Sequence, residues 1–219
     1  MNICLVKEIT TIGMVNNMQE IQNIRTKDFV VKILIERILL NKILPDTKLS
    51  QEELASYFNI SRIPIREALQ ILEKQGLVKR MSNRHVVVSA LDNEEVRETF
   101  KFICEMVHQD ILGLKIKDSS FVEFLEKWKN VENDKNDLVF HERIIFFTKN
   151  NFIKNMLKLS YDTYLENTCV LNNKDKKKKL LSKSIEFYLK NENENAHENL
   201  ENYFDILADD LINERRSSK

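Results

Sequence analysis

The chain has 219 residues, and 34 basic side chains balance 34 acidic ones, so its formal net charge is zero. Three glycines and two prolines are too few for a sandwich, barrel or propeller, which need turn residues every roughly 8–12 positions. Hydrophobic residues at 42% and charged residues at 31% exclude a disordered chain, and no run approaches the roughly 20 apolar residues of a membrane span. The expectation is a mainly α, soluble protein.

Residues 1–25 lack periodicity and a cap and read as an N-terminal arm, with Met18 a second candidate start. Lys7 and Glu8 interrupt its apolar part, unlike a signal peptide. Cys4, Cys104 and Cys169 are odd in number and widely spaced, which points to reduced thiols in a cytoplasmic protein. A helix is predicted from Thr26, where Val31, Leu34, Ile35 and Ile38 form an i, i+3, i+4, i+7 stripe, and it must stop before Pro45. Ser50 and Glu53 form a capping box for a second helix, with Leu54, Ala55 and Phe58 on its buried face. Asn59 permits a left-handed turn, and Ser61 is an N-cap for a third helix that tolerates Pro64 in its first turn. Ile65, Ala68, Leu69 and Leu72 are its inner stripe, and Gly76 is its C-cap. The period then shortens: Leu77–Arg80 and His85–Val88 read as two short strands around a basic turn at Asn83-Arg84. Three helices and a hairpin predict a winged helix-turn-helix over residues 26–90.

Residues 1–90 carry 13 Lys+Arg against 9 Asp+Glu, and residues 91–219 carry 21 against 25. A basic module joined to an acidic one fits a nucleic-acid binder. In a helix-turn-helix the second helix of the pair presents its N-terminal side chains to base edges in the major groove. Arg62 and Arg66 lie one turn apart, opposite the apolar stripe, and an arginine fork suits guanine O6 and N7. Ser61 and Gln70 are further candidate contacts, and Lys79, Arg80, Asn83, Arg84 and His85 make a basic wing.

These residues, Leu44-Pro45-Asp46-Thr47-Lys48-Leu49, Glu53-Leu54-Ala55, the SRxPxREAL stretch Ser61–Leu69, Leu72-Glu73 and Gly76-Leu77-Val78, closely resemble the GntR family of bacterial transcription regulators. The resemblance spans about 65 residues and implies that Ser61, Arg62 and Arg66 contact operator DNA. Asp46 stands where the family usually has glycine, and Asn83 stands at the wing-tip glycine.

Beyond Leu91 everything reads as helix. Asp92 and Glu95 form a second capping box, and helices are expected near 93–113, 119–131, 134–148, 151–171, 177–190 and 194–214. The run Lys176 to Lys179 reads as a solvated helix start or loop. Asp137-Leu138-Val139-Phe140-His141, followed by Asn151, resembles the DxxFH…N signature of the FadR-type effector-binding domain, an all-helical bundle also called FCD. Val96-Arg97-Glu98 and Glu105 fit its first helix, so residues 91–219 are expected to be an effector-binding and dimerisation domain.

Many such domains hold a metal through this aspartate, this histidine and two further histidines, but the further positions here are Ser182 and Tyr203, poor ligands for a transition metal. His197, six residues before Tyr203, should point elsewhere. Asp137 and His141 are therefore expected as a buried hydrogen-bonded pair without metal or cofactor. The resemblance places an arginine where this chain has Phe100, which shares a face with Cys104 and His108. An effector pocket among Phe100, Cys104, His108, Asp137, His141, Ser182 and Tyr203 would then take an apolar or acyl-type small molecule.

The function expected is a non-enzymatic regulator that binds a near-palindromic double-stranded operator as a homodimer. The alternatives are a metal-assisted hydrolase using Asp137 and His141, and a helical interaction protein without specific DNA binding. No nucleophile–base–orienter set or phosphate-cradling glycine loop favours the first, and the SRxPxREAL stretch with the basic wing disfavours the second.

Overall fold

A computed structural model describes residues 26–82, 84–128 and 136–217. The arm 1–25 and the wing residue Asn83 lie outside the described residues, as do 129–135 and 218–219. The described residues form two compact units, one ending at Ala90 and the other spanning Leu91–Ser217.

The first unit comprises α1 (Thr26–Leu39), β1 (Lys48–Leu49), α2 (Gln51–Phe58), α3 (Arg62–Lys74), β2 (Val78–Arg80) and β3 (Val86–Val88). Its core is built from the periodic stripes: Val30, Leu34 and Ile38 of α1 meet Leu54, Ile65, Leu69 and Leu72, all buried. At α2 half of the capping box forms, since Ser50 accepts from the Glu53 amide while its hydroxyl donates to Glu52. Asn59 closes α2 at φ 53°, in the left-handed region that asparagine tolerates. Ser61 has N-cap backbone geometry but makes no side-chain cap bond. Gln75, rather than Gly76, caps α3; Gly76 follows it at φ 77°, where a Cβ would be strained.

The expected hairpin is one strand short. β1 pairs antiparallel with β3, Lys48 opposite Val87 and Leu49 opposite Val86, giving the order β1-β3-β2. Two residues carry no detectable period, so only pairing with β3 makes them a strand. Asp46 adopts φ 61°, so the aspartate takes up the conformation for which a glycine is usual.

The second unit contains α4 (Asn93–Lys117), α5 (Ser119–Trp128), α6 (Asn136–Phe147), α7 (Asn151–Ser160), α8 (Lys174–Leu189) and α9 (Asn193–Ser217). The Asp92 box is complete: its carboxylate accepts from the Glu94 and Glu95 amides, and Glu95 accepts from the Asp92 amide. The expected helix over 151–171 is interrupted. After α7 the chain passes through a π-turn, Tyr161–Leu165, and a last helical turn, Glu166–Thr168. Helix α9 packs along α8 and α4 with a core of Leu200, Tyr203, Phe204, Leu207 and Leu211.

The lysine run also departs from expectation. Helix α8 starts at Lys174, and Lys177 is fully buried instead of solvated. Its ammonium donates to the carbonyls of Thr168, Cys169 and Leu171 and to Asp210 Oδ2 at 3.1 Å. A solvent-facing pattern cannot reveal this, because the partner sits on α9.

Candidate nucleic-acid interface and the polar core of the helical unit

On α3 the apolar stripe and the cationic fork fall on opposite sides. Ile65, Ala68, Leu69 and Leu72 are buried, whereas Ser61, Arg62, Arg66 and Gln70 are exposed. Arg62 donates to Glu52 Oε1 of α2 at 2.9 Å, and this guanidinium, behind the backbone and Ser50 bonds, helps hold the Glu52 carboxyl below its ordinary range. The neighbouring acid Glu67 instead faces Lys27 at 4.0 Å.

The wing presents Lys79, Arg80, Arg84 and His85 to solvent. Lys79 pairs with Asp46 at 3.3 Å and Arg80 with Glu73 at 2.9 Å. Arg84 sits at φ 65°, so the described wing tip itself makes the left-handed turn. Exposed ion pairs of this kind are weak and screened by salt. Such pairs leave the guanidinium and ammonium donors free to exchange to another acceptor.

In the helical unit, three of the expected pocket residues meet at one hydroxyl. Tyr203 of α9 is fully buried, and its hydroxyl lies 3.1 Å from His141 Nε2 and 3.4 Å from Cys169 Sγ, and donates to Asp137. A phenol has one proton and two lone pairs. The His141 ring nitrogen and the Cys169 thiol each share a hydrogen bond with this hydroxyl. Tyr203 therefore bridges the aspartate and the histidine that were expected to bond each other.

Burial sets the charges here. Desolvation pushes the His141 imidazole down to about 3, which keeps it neutral. Desolvation raises the Asp137 carboxyl to about 6 against the opposing pull of Lys177 and the Tyr203 bond. The Cys169 thiol is pushed up to about 12 by burial, so it stays protonated.

The remaining expected pocket residues are distributed. Phe100 is packed in the core with its ring edge-on to Tyr164, and Ser182 is half-buried on α8. His108 bonds the Tyr188 hydroxyl through Nδ1 and stacks on His197 at 4.1 Å. His197 thus faces α4 rather than Tyr203. Cys104 lines a cavity of about 270 Å³ with Lys101, Glu201 and Asp205. Sequence reasoning missed the parts played by Cys169 and Lys177, for which no local signal exists.

Comparisons with known proteins bear on each unit. Residues 26–88 match the profile of the family "Bacterial regulatory proteins, gntR family". The chain is 29% identical over 127 residues to the "Uncharacterized HTH-type transcriptional regulator YdhC" of Bacillus subtilis, covering 52% of this chain and 57% of that one. It is 30% identical over 129 residues to the "Gluconate operon transcriptional repressor" of Bacillus licheniformis, covering 53% of each. The chain thus spans about half the length of the curated relatives it matches. Among solved structures, one titled "Lar controls the expression of the Listeria monocytogenes agr system and mediates virulence" superposes with a TM-score of 0.58 at 20% identity, over 86% of this chain and 98% of that one. "E. coli McbR/YncC" superposes with 0.57 at 12% identity, over 86% and 98%. At such identities these likenesses speak for the fold alone.

Proposed function

We propose, starting from residues 26–88 as a gntR-family helix-turn-helix domain, that this protein is a cytoplasmic, non-enzymatic transcription regulator. It binds a near-palindromic operator as a homodimer. The observation that carries the reading is the outward face of α3, where Arg62 and Arg66 stand exposed opposite a fully buried apolar stripe. Each bidentate arginine–guanine contact contributes roughly 1–3 kcal/mol of discrimination. Lys79, Arg80, Arg84 and His85 add phosphate or minor-groove contacts from the wing. Absence of any helix long and apolar enough to cross a membrane among the described residues agrees with this reading.

The helical unit is assigned, on the DxxFH…N resemblance, to the FCD type. A groove of about 590 Å³ between α4 and α7, lined by Phe102, Met106, Phe152 and Met156, supports dimerisation through this unit. Phe102 is 64% exposed and Phe152 72%, an apolar patch of the kind that marks an interface. Phe100, where the resemblance places an arginine, favours an apolar or acyl-type effector over a free carboxylate. Such a ligand regulates only if it binds the DNA-competent and incompetent dimers differently.

The test is operator selection from a random pool, then fluorescence titration of Arg62→Ala and Arg66→Ala at fixed salt, since phosphate contacts make affinity steeply salt-dependent. Both variants should lose at least tenfold in specific affinity while keeping the fold. Unchanged sequence preference in both would refute the assignment.

A further inference from the structure

We propose that Glu105, His197 and Glu201 form a binding site for a divalent transition-metal ion, separate from the Asp137–His141–Tyr203 cluster. Glu105 comes from α4, whereas His197 and Glu201 are one turn apart on α9 and so share its face. One ligand atom from each, a carboxylate oxygen of either glutamate and a ring nitrogen of the imidazole, lies within 4.8 Å of the others. Side-chain rotation brings three donors at that separation onto one ion at about 2.0–2.2 Å.

Three further observations favour an ion over a plain ion pair. His197 Nε2 is shielded from solvent and lies 2.8 Å from Glu105 Oε1, an ion-pair contact without hydrogen-bond geometry. Its ring stacks on His108 at 4.1 Å, and His108 is itself bonded to the Tyr188 hydroxyl, which restrains the plane of the His197 imidazole. Glu201 also forms part of the wall of the 270 Å³ cavity, so open space adjoins that carboxylate.

Charge balance points the same way. A protonated imidazole between two carboxylates leaves a net negative charge, whereas a neutral imidazole, two carboxylates and a divalent cation sum to zero. One nitrogen and two oxygen donors suit zinc, manganese, cobalt or nickel. The ion would tie the first helix of the unit to its last.

The experiment uses the full chain stripped with chelator and then titrated with Zn²⁺, Mn²⁺ and Co²⁺. Calorimetry and elemental analysis after desalting should show one equivalent per chain for at least one of them. His197→Ala and Glu201→Gln should each weaken binding at least tenfold, and His141→Ala should leave it unchanged. Zn²⁺ should raise the melting temperature of the parent and leave that of His197→Ala unmoved, and far-UV circular dichroism should show the variants folded. The proposal is overturned if the parent binds no more metal than Glu201→Gln. It is equally overturned if His141→Ala abolishes binding that His197→Ala retains, which would put the ion at the other cluster.

Discussion

Replacing Lys177 by methionine should destabilise the helical unit far more than the same change at its neighbours. Lys177 Nζ holds Asp210 at 3.1 Å and three backbone carbonyls at 3.1–3.3 Å, with the lysine fully buried and Asp210 1% exposed. Without the ammonium, the Asp210 carboxylate keeps only the Asn173 amide at 2.6 Å. Breaking a buried pair by removing one partner costs about 3–5 kcal/mol, because a desolvated charge is left uncompensated. For a unit of this size that lowers the melting temperature by roughly 10–20 °C. The single tryptophan, Trp128, is buried in α5, so its fluorescence during urea unfolding reports this unit and not the DNA-binding one. Lys176→Met and Lys179→Met, both at exposed positions, should stay within about 0.5 kcal/mol of the parent. Adding Asp210→Leu to Lys177→Met should recover more than half the loss, since an apolar pair leaves no unpaired charge. A loss below about 1 kcal/mol for Lys177→Met would refute the buried pairing.

The polar core predicts an opposed pair of pH effects. His141 has a folded value near 3, below its ordinary 6.5, so its contribution falls as pH drops from 6.5 toward 3. Asp137 has a folded value near 6, above its ordinary 3.8, so the fold takes up a proton there and gains stability as pH drops from 6 to 3.8. The two cancel between pH 6 and 4, and Asp137→Asn should expose the histidine slope, about 1.4 kcal/mol per pH unit. Urea titrations of parent and variant from pH 7 to 4 check this, and parallel curves would contradict it. Phe102→Asp with Phe152→Asp should convert a dimer to a monomer in light scattering of the full chain at tens of micromolar, and should weaken operator binding at least tenfold. A variant that stays dimeric would place the interface elsewhere.

Much of the DNA-binding unit, and the start of the helical one, was legible because the determinants are local. The stripe of Ile65, Leu69 and Leu72, the outward step of Arg62 and Arg66, the left-handed Asn59 and the Asp92–Glu95 box all follow from neighbours three or four residues apart on a helix. The sequence by itself therefore determined the starts of α2, α3 and α4, the face that α3 buries, and which cations stand together on it. Tertiary structure alone decided the rest. Lys48-Leu49 became a strand only by pairing with β3, and Lys177 left the solvent because Asp210 and the carbonyls after the π-turn await it. Tyr203 came between Asp137 and His141, and His197 turned to Glu105. In each case a group meets a partner on another element, and no local period records such a partner.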